Sequence, residues 1–143
     1  VVPLTQVEYK THFGMSRDDE VEGIAMKVAM DYEVANGRTP KDVSADNVGY
    51  DVRSVDSDGV SMRYIEVKGR SGTDGVMLSE NEKNRLENLG KRAWLYIVVE
   101  CKGEPKLYCI NDPIHNMNFE QKVKGVQFYL PLNEWQRMVN SAV

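Results

Sequence analysis

No run of eighteen apolar residues occurs in this sequence, so it offers no candidate for a membrane-spanning helix. Cysteine is scarce as well. Cys101 and Cys109 are too few for a disulfide framework in 143 residues, and reduced thiols in an intracellular, cytoplasmic protein are the expectation. The first thirty residues lack the basic start, unbroken apolar stretch and small-residue cleavage site of a secretory leader. The chain opens on Val1 without a methionine and is expected to be a fragment of a larger protein. Positive charge is in deficit, with a net charge of -4 and a pI near 5.2. That balance argues against coating nucleic acid through phosphate neutralisation alone. It leaves room for a nuclease, because clustered carboxylates that hold divalent cations lower the formal charge while the metal reverses the local sign.

Signature motifs for several other chemistries are missing. Cys101, Cys109, His12 and His115 show neither CxxC nor HxxxH spacing, which argues against zinc. There is no GxSxG, no P-loop and no histidine beside a suitable nucleophile, so acyl transfer and nucleotide hydrolysis lack support. "SVDSDG" has the look of a calcium loop, but its twelfth position is Ile65 rather than a bidentate acid. It reads as a turn.

What is present suits one domain over residues 1–143, since 41% hydrophobic content without repeats or low-complexity tracts is enough for one core. From Asp18 to Asn36 the apolar positions Val21, Ile24, Ala25, Val28, Ala29 and Tyr32 recur at helical spacing, and Gly37 supplies the stop. "RTPKDVSADN" reads as loop. "VGYDVRSV" and "SMRYIEVK" flank "DSDG", the pattern of a hairpin. "LSENEKNRLENLGKR" is a helix bracketed by a Ser79–Glu82 capping box and by Gly90. "AWLYIVVE", apolar and rich in β-branched and aromatic residues, reads as a central strand covered on both faces, with "PKLYCIND" as its hairpin partner. The tail "VQFYLPLNEWQRMV" gives a short strand and a terminal helix with Trp135, Met138 and Val139 on one side. The predicted class is therefore α/β, a mixed central β-sheet flanked by helices in the order αββαββ. Its core spans about 17–114 and a β/α extension covers 115–143.

Alternation along "RYIEVKGR" raises a chemical question. Ile65 and Val67 point one way, while Glu66 and Lys68 share the other face. The hairpin lays Asp51 beside the strand that carries Glu66, so two carboxylates and an ammonium converge. Carboxylates this close repel unless a cation lies between them, and Mg2+ held by oxygen ligands and waters fits that need. An ammonium beside such a metal can orient or help deprotonate a water for attack on a phosphodiester, or steady charge on the phosphate. The bland alternative is a cross-strand ion pair on an exposed face.

An acid at a strand start, followed by acid, spacer and lysine on the next strand, resembles the PD-(D/E)xK, or restriction-endonuclease-like, nuclease superfamily. More narrowly, "VEGIAMKVAMDYEVANGRTPKDVSADNVGYDVRS", "RYIEVKGR", "LSENE", "WLYIVV" and "NDP" are similar to the NO VEIN C-terminal domain. That domain is an Mrr-like branch often fused to Snf2-type helicases and restriction systems. Tyr50 stands where the superfamily's leading proline falls, as is usual in Mrr-like relatives.

The resemblance implies a restriction-endonuclease-like fold and a Mg2+-dependent DNA endonuclease, with Mn2+ as a substitute ion. Asp51 and Glu66 would be ligands, joined by the backbone carbonyl of Val67, and Lys68 would position the water. Glu22, the acid of the leading helix, would add a ligand or bind an outer-shell water, with Glu20 as the weaker substitute. Arg63, Arg70, Lys83 and Arg85 are the candidates for phosphate contacts, while Asn81 falls on a solvated helix face and Glu82 belongs to the capping box. The implied partners are DNA, a fused or associated helicase or ATPase, and a second copy of the chain, since double-strand cutting usually needs two sites. The competing reading is a non-cleaving nucleic-acid-binding or protein-docking module with a nuclease-like fold.

Overall fold

The structure, a computed structural model, describes residues 18–122 and 127–137. Its first helix, α1 (Asp19–Ala35), begins where the Asp18 carboxylate accepts the backbone N–H groups of Glu20 and Val21 at 3.0 and 3.2 Å. Val21, Ala25 and Ala29 are buried on its inner face, and Ile24, Val28 and Tyr32 pack beside them. Three further helices are α2 (Glu80–Leu89), α3 (Pro113–Asn116) and α4 (Leu132–Gln136). The strands are β1 (Thr39–Asp42), β2 (Val52–Val55), β3 (Met62–Gly69), β4 (Val76–Ser79), β5 (Ala93–Val99), β6 (Lys106–Asn111), β7 (Glu120–Lys122) and β8 (Gln127–Leu130).

Five strands form the central sheet in the order β1-β2-β3-β5-β6. β2 and β3 make the expected antiparallel hairpin, with Val52 opposite Ile65. β3 and β5 run parallel, with Glu66 opposite Leu95, and α2 lies in the crossover between them. β6 returns antiparallel to β5. The sheet is thus mixed and flanked by helices, as the sequence predicts.

β5 explains its own unbroken apolar run. Leu95, Ile97 and Val99 enter one buried cluster with Leu86 of α2, Ile110 and Trp135. Tyr96 and Val98 enter a second cluster with Val21, Ala25 and Ala29 of α1 and with Val52 and Ile65. Alternate side chains therefore fill two cores on opposite faces, and each buried aliphatic contributes about 2 kcal/mol.

Several elements differ from expectation. β1 lies within the stretch read as loop, as an edge strand in which Pro40 sits opposite Ser54. Proline is tolerated there because one side of an edge strand has no ladder to complete. β4 belongs to a separate three-stranded sheet ordered β4-β8-β7, and its Val76, Met77 and Leu78 are all buried. The tail forms β8 and α4, with Trp135 fully buried, while Met138 and Val139 lie outside the described residues. The capping box at α2 is complete in both halves. No helix among the described residues is long and apolar enough to cross a membrane.

A buried polar network anchors the α1 side. Glu33, fully buried, accepts Arg38 Nε and Nη2 at 2.7 and 2.9 Å and the Tyr96 hydroxyl at 2.7 Å. Arg63 Nη1 in turn donates to the Tyr96 hydroxyl at 2.9 Å. Burial works against the Glu33 charge, but Arg38 and Tyr96 outweigh it and hold the carboxyl below its ordinary pKa.

Candidate active site

The site begins where β2 and β3 part. Pairing reaches Val52 opposite Ile65, whereas β3 continues to Gly69. The chain ahead of β2 turns through Gly49, φ +86, where a side chain would collide with Arg85, whose Cγ lies 2.8 Å from the position of a Cβ. That turn delivers Asp51 to the uncovered edge of β3. Its N–H donates to the Ile65 carbonyl at 2.8 Å, and its Oδ2 accepts the Val67 N–H at 2.9 Å. A strand residue sends its N–H and C=O to the same edge in an antiparallel pair, so the Val67 carbonyl leaves β3 on the Asp51 side.

Glu66 and Lys68 occupy the face opposite Ile65 and Val67, which pack toward α1. Glu66 is only 2% exposed. Lys68 Nζ lies 3.3 Å from Glu66 Oε2 and 3.0 Å from Glu82 Oε1. Glu82 comes from the first turn of α2, where the same Oε1 accepts the Ser79 N–H at 2.8 Å. Asp51, Glu66, Lys68 and Glu82 line one cleft of about 460 Å3 with Val67, with Asp19, Glu22 and Met26 of α1, and with Asp42 and Ser44 near the end of β1.

The electrostatics of this cluster are lopsided. Burial raises Asp51 above its ordinary value, although the Val67 N–H and Lys68 pull the other way. Burial pushes Glu66 well up, with Lys68 opposing and the charges of Glu82 and Asp51 adding to the rise. Glu82 goes the other way: burial is outweighed by Lys68, by a hydrogen bond with Glu66 and by the Ser79 N–H. Burial also disfavours the Lys68 ammonium, yet Glu66 and Glu82 overcome it and hold its pKa above the ordinary lysine value. The cluster therefore favours the charged forms of Lys68 and Glu82 and shifts Asp51 and, more strongly, Glu66 toward the protonated form. Among the described residues that line the cleft, six are acids and Lys68 is the single base.

Asp51, Glu66, Val67, Lys68 and Glu22 thus meet in one place, with Glu22 exposed on the α1 wall. Glu20 is not among the lining residues. The four basic candidates lie elsewhere. Arg63 sits on the α1 face, 3.8 Å over the Trp94 ring. Arg70 pairs with Asp74 at 3.2 Å, Lys83 lies 4.7 Å over the Phe128 ring, and Arg85 lies 5.9 Å over the Tyr50 ring. Asn81 is exposed, as expected. Glu82 is the cluster residue that the sequence assigned to capping alone. The clue was positional, because "LSENE" opens the helix that follows the acid-spacer-lysine strand.

Among the described residues, no three His, Cys, Asp or Glu side chains are disposed as a metal-holding group. Comparison of the chain with curated proteins and with solved structures finds no match. The family model described as "Protein NO VEIN, C-terminal" matches residues 21–110, a span that runs from α1 into β6 and contains the whole Asp51, Glu66, Lys68 and Glu82 cluster. On that match, which covers more than half of its length, the chain belongs to the NO VEIN C-terminal domain family.

Proposed function

We propose that this domain is a metal-dependent DNA endonuclease of the PD-(D/E)xK, restriction-endonuclease-like kind, hydrolysing phosphodiester bonds by attack of water. The observation that carries the reading is the convergence of Asp51, Glu66 and Lys68 in one cleft at the edge where β2 leaves β3. The succession of helix, hairpin, helix and strand pair supports it further.

The donor chemistry fits a hard divalent cation. Two carboxylates from adjoining segments, a backbone carbonyl on the same edge and space for waters meet the needs of Mg2+, which keeps several waters and takes few protein ligands. Asp51, Glu66 and the Val67 carbonyl would hold Mg2+ or Mn2+, with Glu22 binding an outer-shell water. When bound, the ion supplies Lewis-acid polarisation of the phosphate and a lowered pKa for its water. Lys68, kept protonated by its acidic neighbours, stabilises negative charge on the phosphate and orients the water rather than taking its proton. The helix N-termini at the cleft carry their own acids, Asp19 and Glu22 on α1 and Glu82 on α2, so they offer no free anion site, and a bound cation would supply the positive charge that a phosphate needs there. The proposal extends to a cytoplasmic setting, to a fused or associated helicase or ATPase, and to a second copy of the chain for double-strand cutting.

A non-cleaving nucleic-acid-binding or docking module is the second reading. It draws on the placement of Arg63, Arg70, Lys83 and Arg85 against rings or acids outside the cleft. Plasmid DNA incubated with and without Mg2+ or Mn2+ separates the two. Ion-dependent cleavage lost in Asp51→Asn and in Lys68→Ala supports the nuclease. No cleavage, with salt-sensitive DNA binding intact in both variants, supports the module.

A further inference from the structure

We propose that Glu82 is a positioning residue for Lys68, with the first turn of α2 acting as a clamp that fixes the ammonium in the cleft. Its consequence for cleavage rests on the nuclease reading; the clamp itself does not.

Three observations carry the inference. First, one oxygen serves two donors: Glu82 Oε1 accepts the Ser79 N–H at 2.8 Å and Lys68 Nζ at 3.0 Å. The carboxylate is therefore placed by the backbone at the helix start, whether or not the lysine is there. Second, that helix start is itself anchored, because Ser79 ends β4 and pairs with Gln127 of β8 in the second sheet. Third, capping does not require the charge. Glutamine completes a capping box as well as glutamate does, so the box accounts for the shape of residue 82 and Lys68 accounts for its charge.

The second partner matters because of where the first one sits. Glu66 lies two residues from Lys68 on the same strand and belongs to the proposed ligand set. A lysine stem has many rotamers, and one neighbour at 3.3 Å on its own strand leaves most of them open. Glu82 approaches from a different element and lies outside that ligand set. It keeps Lys68 in register when Glu66 is engaged elsewhere.

The side-chain ammonium signal of Lys68 in 1H–15N NMR at low temperature, assigned by its loss in Lys68→Ala, tests the clamp without reference to activity. The wild type is expected to show a sharp signal, because a held ammonium exchanges slowly. Glu82→Gln should broaden that signal beyond detection while leaving helix content unchanged and lowering Tm through loss of the part-buried ion pair. Ser79→Ala, which removes the serine half of the box and keeps the carboxylate, should lower Tm and leave the signal in place. A wild-type signal that is absent, or that is indifferent to Glu82→Gln, overturns the clamp. In Mg2+-dependent plasmid cleavage, Glu82→Gln is expected to lower kcat by up to about 100-fold with little change in KM. A wild type that cuts nothing yet shows the Glu82-dependent signal sinks the nuclease reading and keeps the clamp. A wild type that cuts, with a signal blind to Glu82→Gln, does the reverse.

Discussion

Asp51 closes the open edge of β3 by accepting the Val67 backbone N–H on Oδ2 at 2.9 Å. It does for the strand what one more residue of β2 would do, but with a carboxylate in place of a carbonyl.

Asparagine can accept the same bond through Oδ1, so Asp51→Asn should preserve the edge while removing a charge that burial disfavours. Without divalent ions, urea unfolding is expected to place the variant within about 1 kcal/mol of wild type. With Mg2+ at about 100 times its Kd, wild type should gain about 2.7 kcal/mol and the variant nothing. Equal gains in both would remove Asp51 from the ligand set.

The raised pKa of Glu66, caused first by burial and then by the charges of Glu82 and Asp51, has a definite sign in stability. Between the ordinary value of 4.5 and the higher folded value, the folded state binds more protons than the unfolded one. The contribution of Glu66 is therefore complete below pH 4.5 and falls as pH rises toward the folded pKa. The stability difference between Glu66→Gln and wild type, measured without divalent ions, should shift toward the glutamine variant as pH rises through that window. A difference independent of pH would show that Glu66 is not held protonated.

Tyr96→Phe leaves buried Glu33 and its neighbour Arg63 each short of a hydroxyl partner. The expected loss is about 1–3 kcal/mol in thermal or urea unfolding, with Mg2+ binding unchanged at temperatures where the variant is folded. Glu33→Ala, which strands the Arg38 charge, should lose about 3–5 kcal/mol. Either variant altering Mg2+ affinity in the folded state would mean that the α1 face and the cleft are coupled.

Gly69 ends β3 beside Lys68, and a Cβ there would stand 2.7 Å from Ala25 Cβ and 3.1 Å from the Val21 carbonyl oxygen. Gly69→Ala must push α1 away from the sheet, at an expected loss of about 1–3 kcal/mol. Adding Ala25→Gly returns the space, although a glycine in mid-helix costs about 1 kcal/mol on its own. A double-mutant cycle should therefore show favourable coupling, and strict additivity would place the strain elsewhere.

What the sequence made readable were features whose cause is local. The three- and four-residue spacing in α1, the Ser79–Glu82 box and the alternation that sets Glu66 and Lys68 against Ile65 and Val67 all follow from neighbours along the chain. β1 was hidden because "TPKD" carries no apolar alternation and is held by backbone pairing to β2. β4 depends on β8, which is far along the chain. Glu82 was given a sufficient local job, and nothing near it in sequence announces that Lys68 arrives from another strand. Arg63 shares the parity of Ile65 and Val67, which sets it on the α1 face over the Trp94 ring and away from the cleft.

The two cores on either side of β5 also set the mechanics of the slot. One jaw, α1, is seated on one face of the sheet, and the other, α2, on the opposite face. Neither can swing toward the other without lifting out of its packing. The opening consequently has a fixed gauge, like a spanner rather than pliers, and under the proposed function a strand entering it would have to conform to that width instead of being gripped by closure.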